Sequence, residues 1–179
     1  QLLVLTTPMS RRASLKAIKN ILIFVIIAVV VGWLVDGWRF SQLDKKQLSQ
    51  PVVAQLTQQL TPAQRQAFDR GEPMLVYLWA TWCGFCKTTS GSVSNIWGDT
   101  PVATVALQSG SASTVKQYLA SKQHAFQFYN DHDGALTRAM GINVTPTFLI
   151  VDNTGEIKFM SVGMTTELSL RTKLALFMR

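Results

Sequence analysis

Sulfur and imidazole are scarce in this sequence, which has two cysteines and two histidines in 179 residues. A structural zinc site needs about four such ligands at matched spacing. His124 and His132 lie eight positions apart and far along the chain from Cys83 and Cys86, so no metal site is expected. The same shortage excludes a framework of structural disulfides, because two cysteines make one bridge. Acids are also few, ten against seventeen lysines and arginines. That imbalance does not point to nucleic acid. Five basic residues against the single acid Asp36 precede Phe40, a net +4, and twelve against nine follow it, a net +3. The basic pI near 9.7 therefore owes much to the N-terminal flank. Internal repeats and low-complexity tracts are absent too.

What the first forty residues do contain is an uninterrupted apolar run. Ile21 to Val35 is fifteen residues long and rich in Ile and Val. Extended to Trp38 as a helix it covers roughly 27 Å, close to the hydrocarbon thickness of a bilayer, and Trp33 and Trp38 suit an interface. A cleaved leader shares the pattern of a basic segment before an apolar run, but no Ala-x-Ala-like step follows between Gly32 and Trp38. The expectation is a retained transmembrane anchor at 20–38 in contact with the lipid bilayer. Arg11, Arg12, Lys16 and Lys19 precede it, whereas Asp36 and Arg39 follow it and cancel. Residues 1–19 are therefore expected to be cytoplasmic and the chain beyond Phe40 to face outward. Residues 39–60, polar at first with Lys45 and Lys46, read as a linker, and 61–179 as the folded domain. Inside the linker, Val52, Val53, Leu56 and Leu60 fit helical spacing, although Val52-Val53 could also begin an edge strand.

Both cysteines sit in one stretch, Trp79-Ala80-Thr81-Trp82-Cys83-Gly84-Phe85-Cys86-Lys87. It follows the continuous apolar run Met74 to Trp79, which reads as a central strand covered on both faces. A helix after the turn would place Cys83 at its first free N–H groups, where the partial positive charge of the helix start favours thiolate over thiol. Cys86, three positions on, shares a helix face with Cys83. The pair reads as a dithiol redox site.

The rest of the domain follows in order. Thr61-Pro62 reads as an N-cap with proline in the first helical turn, opening a helix that runs to Arg70 and stops at Gly71. The helix after Cys83 extends to about Ile96. Val102 to Leu107 is the next strand, and a strand-helix-strand unit of this length implies parallel pairing. Ser111 or Ser113 caps a helix with Val115, Tyr118 and Leu119. Phe126 to Tyr129 is expected to be a short strand or an extended stretch, and Asp133 to open a helix closed by Gly141. Thr147 to Val151 and Glu156 to Val162 form a β-hairpin around Asn153-Thr154-Gly155. Thr165 or Thr166 begins the last helix.

At this point the residues resemble a known family. Trp79-Ala80-x-Trp82-Cys83-Gly84-x-Cys86 is similar to the thioredoxin signature. Tyr77 to Cys83, together with Pro146-Thr147-Phe148-Leu149-Ile150 and then Asp152-x-x-Gly155, resembles the membrane-anchored TlpA-like branch, and within it the suppressor-of-copper-sensitivity D (ScsD) type of disulfide oxidoreductase. The resemblance implies an α/β thioredoxin fold, a central mixed sheet flanked by helices, preceded here by one transmembrane helix. It implies a cis proline at Pro146, which exposes the Thr145 backbone for pairing with an extended substrate segment. Trp82, Gly84, Phe85, Thr145 and Pro146 are then the supporting and substrate-binding residues around Cys83 and Cys86. Two positions depart from the family. Tyr77 stands where thioredoxins have a buried Asp, with Glu72 a possible substitute, and Phe85 stands where they have proline, which leaves the potential open.

The function implied is that of a periplasmic thiol-disulfide oxidoreductase of the bacterial inner membrane, with no cofactor beyond its own Cys83-Cys86 disulfide. Its partners would be protein disulfides and an integral-membrane thiol electron donor of the DsbD type, which makes it a reductant. Copper or redox stress is the suggested setting. Two alternatives stand beside it: a thiol reductant in cytochrome c maturation, and a Cu(I)-binding protein in which the two thiolates hold a soft ion.

Overall fold

The computed structural model describes residues 11–41 and 46–178, with side chains from residue 16 onward in the first helix. Residues 1–10 of the expected cytoplasmic segment, the side chains of Arg11 and Arg12, and Lys45 lie outside the described residues. The chain divides into two compact units, 1–38 and 39–179.

The first unit is most of helix α1 (Arg11–Ser41), whose apolar side chains from Ile18 to Trp38 are exposed. Its stretch Lys16–Ser41 is 26 residues long and apolar enough to cross a membrane, about 39 Å at the helical rise. The fifteen-residue run read from the sequence lies inside it.

The second unit is built on a five-stranded mixed sheet in the order β3-β2-β1-β4-β5. Its strands are β1 (Met74–Trp79), β2 (Val102–Leu107), β3 (Tyr129–Asp131), β4 (Thr147–Val151) and β5 (Ile157–Val162). β1 pairs parallel to β2 and antiparallel to β4. β2 pairs parallel to β3, and β4 antiparallel to β5. β1 is apolar throughout because both of its faces are covered. Met74, Val76 and Leu78 pack with helices α2 (Gln50–Thr57), α3 (Pro62–Asp69) and α6 (Ala135–Met140). Leu75, Tyr77 and Trp79 pack on the other face with α4 (Gly84–Ile96), α5 (Ala112–Ser121) and α7 (Glu167–Phe177). This is the thioredoxin fold expected from the sequence.

Local rules account for most helix ends. Thr61 opens α3 with a complete capping box to Gln64. Ser111 caps α5 and Thr166 caps α7 through their hydroxyls. Gly141 closes α6 in the left-handed conformation.

Three expectations shift. The stretch 39–60, read as a linker, carries α2, and Leu48, Val52, Val53 and Leu56 are buried in the core. Helical spacing prevails over the edge-strand reading because it turns Val52, Val53 and Leu56 of α2 together into the core, where α2 meets β2 and α6. Leu48 N–H also donates to the Gly155 carbonyl at 2.8 Å, which ties this stretch to the β4-β5 turn. Of the two readings of Phe126 to Tyr129, short strand or extended stretch, the strand holds only from Tyr129, as Tyr129–Asp131. Phe126 leaves the ladder to fill the core, edge-on to Tyr77 and Trp79. The helix expected from Asp133 starts at Ala135, whose N–H donates to Asp133 Oδ1 at 3.0 Å, and a second cap comes from further upstream. The buried carboxylate of Asp131 accepts the N–H groups of Leu136 and Thr137 at 3.0 and 2.9 Å.

Candidate active site

The register brings several loops to one end of the sheet. Trp79 pairs with Ala106 and Leu78 with Thr147; Thr147 in turn pairs with Val162, and Leu107 with Asp131. The C-terminal ends of β1, β2, β3 and β5 and the N-terminal end of β4 therefore lie together. The turn 80–83, Gln108-Ser109, Thr145-Pro146 and Gly163 all emerge there.

Cys83 is the N-cap residue of α4, and its Sγ accepts the Cys86 N–H at 3.2 Å. The two sulfurs are joined as a disulfide, with Cα atoms 5.2 Å apart. Cys83 keeps 6% of its surface exposed and Cys86 none. The less buried cysteine is thus also the one at the positive end of a thirteen-residue helix, where a thiolate is stabilised. Such a pair can exchange electrons with an outside disulfide at one sulfur and close internally at the other.

The turn that holds them is anchored to the loop after β2. Thr81 N–H donates to Ser109 Oγ at 3.0 Å, and the exposed Trp82 donates its indole N–H to the Gln108 carbonyl at 3.1 Å. Gln108 takes a left-handed φ of 44°, uncommon for a residue with a side chain. Trp82 is 61% and Phe85 60% exposed beside Cys83, whereas Trp79 is fully buried and donates to Thr104 Oγ1. The Thr145-Pro146 bond is cis. Pro146 is buried, its carbonyl accepts the Gly163 N–H at 2.9 Å, and Thr147 Oγ1 donates to the Val144 carbonyl.

Gly84 begins α4 in open space, since a Cβ there would meet nothing within 4 Å. Gly84→Ala is expected to leave stability unchanged or slightly raised, because alanine is the better helix former by up to about 1 kcal/mol. Denaturant unfolding checks this, and a loss larger than about 1 kcal/mol would contradict it.

Tyr77 and Glu72 resolve differently from each other. Tyr77 is buried on the same face as the sulfurs, stacked on Phe148 at 4.8 Å, with its hydroxyl 3.0 Å from Ser90 Oγ. Burial pushes its pKa well above the ordinary tyrosine value, only partly offset by the Ser90 hydrogen bond. It is a neutral hydroxyl, not a base. Glu72 precedes β1, at the opposite end of that strand from Cys83, and pairs with Arg70 at 3.6 Å. The sequence did not reveal Ser90, Gln108 or Ser109 as partners, because each contact joins residues 13 to 28 positions apart and has no local pattern. Lys87 is exposed. Among the described residues, no group of three or more His, Cys, Asp or Glu side chains could hold a metal ion.

A thioredoxin fold with a cysteine pair in the first turn of the helix after β1 defines a disulfide oxidoreductase, which carries two electrons as the Cys83-Cys86 dithiol and gives them up as the bridge closes. The chain belongs to the Redoxin family, whose model matches residues 45–174. It is similar to a thioredoxin-like protein of Haemophilus influenzae, 29% identical over 167 residues that cover 89% of this chain and 93% of that one. It is also similar to the thiol:disulfide interchange protein DsbE of Pseudomonas fluorescens, 32% identical over 113 residues and 62% of each chain. Among solved structures, StoA from Bacillus subtilis shares the fold with a TM-score of 0.52 at 22% identity, covering 57% of this chain and 81% of that one.

Proposed function

We propose that this protein is a membrane-anchored reductant of protein disulfides, in which Cys83 attacks and Cys86 resolves. The observation that carries this reading is Cys83: it is the N-cap residue of α4, its sulfur accepts the Cys86 N–H, and of the two cysteines it alone keeps any exposed surface. The Cys83 thiolate displaces one sulfur of the partner's disulfide and forms a mixed disulfide. Cys86, deprotonated, then attacks Cys83 Sγ and releases the partner's second sulfur as a thiol. Two electrons pass to the partner, and the Cys83-Cys86 bridge closes. Trp82, Gly84, Phe85, Thr145 and Pro146 surround the approach, and the Thr145 backbone is the proposed edge for an extended partner segment.

Helix α1 supports a single-pass anchor, by length and exposed apolar surface. With the basic residues on its N-terminal side, the N-terminus is assigned to the cytoplasm and the catalytic domain to the periplasm. Regeneration then needs a dithiol donor within the membrane, of the DsbD type. The resemblance of the stretches Tyr77 to Cys83 and Pro146 to Gly155 to the TlpA-like branch and its suppressor-of-copper-sensitivity D type supports substrates met in copper or redox stress.

The test is the redox state of the pair in cells. Alkylation of acid-quenched cells is expected to find Cys83 and Cys86 mostly as thiols, and mostly as disulfide once the membrane thiol donor is removed. A pair that is oxidised in both strains overturns the reductant assignment.

A further inference from the structure

At the same end of the sheet as the disulfide, and joined to its turn through the Trp82–Gln108 hydrogen bond, lies a pocket of about 280 Å³ lined by Gln108, Gly134, Thr137, Arg138, Ile142 and Asn143. We infer that this pocket is a specificity subsite that takes a carboxylate side chain of the protein being reduced, a few residues from its reactive cysteine. The inference rests on the oxidoreductase reading and extends it to a class of partner.

Position comes first. Trp82, adjacent to Cys83, donates its indole N–H to the carbonyl of Gln108, and Gln108 is part of the pocket wall. A Cβ on Gly134 would lie 3.0 Å from Arg138 Nη1 and 3.5 Å from Gln108 Nε2, so the guanidinium and the amide close over the same spot of bare backbone. On the far side, Asn143 leads within two residues to Thr145. The pocket thus sits between the Trp82 wall and the strand edge proposed for the partner backbone.

Charge comes second. Arg138 is exposed, and Nη1 donates to the backbone carbonyl of Asp133 at 2.7 Å. That contact orients the guanidinium without neutralising it, and among the described residues no carboxylate pairs with it. The two nearby acids are occupied with backbone: Asp131 is buried and caps Leu136 and Thr137, and Asp133 Oδ1 accepts the Ala135 N–H. Gln108 and Asn143 are also exposed and offer amide donors. An oriented guanidinium with two amides in the same wall is a set of N–H donors suited to a carboxylate.

The test uses full-length reduced protein and symmetrical peptide disulfides that differ only in one residue, Glu, Gln or Lys, placed two positions from the cysteine. Release of peptide thiol gives the second-order rates. The Glu peptide is expected to react about fivefold faster than the Lys peptide at low salt, as an exposed ion pair can provide, and the ratio should fall toward one as salt screens it. Arg138→Glu should abolish or invert the ratio, Arg138→Lys should retain most of it, and Asn143→Asp should lower it. A ratio of one in the unmodified protein, or an unchanged ratio in both Arg138→Glu and Asn143→Asp, overturns the subsite while leaving the dithiol chemistry standing. Failure of the unmodified protein to cleave any of the three peptides overturns both.

Discussion

Cys83→Ala in the full-length protein is expected to lose disulfide reduction by on the order of a thousandfold or more, because no other nucleophile reaches solvent at the site. Cys86 has no exposed surface, so it cannot take over. Cys86→Ala should behave differently. Cys83 still attacks, the mixed disulfide forms, and nothing inside the protein releases it, so each molecule stops after one encounter. Non-reducing electrophoresis of cells carrying Cys86→Ala should show Cys83-linked adducts that vanish with dithiothreitol and are absent when Cys83 is also replaced. Equal insulin-reduction rates for the unmodified protein and Cys83→Ala would remove the assigned chemistry, and adducts that persist without Cys83 would assign them to another group.

The second large effect concerns where the folded domain begins. A chain starting at Thr61 discards Leu48, Val52, Val53 and Leu56, all buried. At about 1.5–3 kcal/mol for each buried aliphatic side chain, the loss is roughly 6–12 kcal/mol, comparable with the whole stability of a domain, about 5–15 kcal/mol. It also removes two main-chain bonds, Leu48 N–H to the Gly155 carbonyl and Ile157 N–H to the Lys46 carbonyl, each 2.8 Å. The Thr61 chain is expected to show no cooperative urea transition, whereas one starting at Arg39 should unfold in a single step. Equal midpoints for the two would mean that α2 is not part of the domain.

The sequence made the chemistry more legible than the frame around it. The Cys83-x-x-Cys86 turn, the apolar β1 run and the Thr61 capping box are each written within a few adjacent residues, and local physics alone is enough to read them. Residues 51–60 are ambiguous because Val52-Val53 satisfies both helical and strand periods, and only packing against the folded core decides between them. The third strand moved because Phe126 has a better place in the aromatic cluster than in the ladder. Asp133 caps α6 as its sequence position suggests, but the second cap escapes local reading because Asp131, at the end of β3, reaches across to N–H groups five and six residues on. Around the site, Trp82 and Phe85 could be named from their neighbours in sequence. Ser90, Gln108 and Arg138 enter only through the folded chain.

The uneven burial of the two sulfurs also bears on oxidants that are not proteins. A peroxide arriving from solvent meets Cys83 first and converts it to a sulfenic acid. Cys86, already within bonding distance, condenses with it and expels water before a second oxygen can add. The outcome is the same bridge that a turnover leaves behind, so whatever reduces the protein after work also repairs it after exposure.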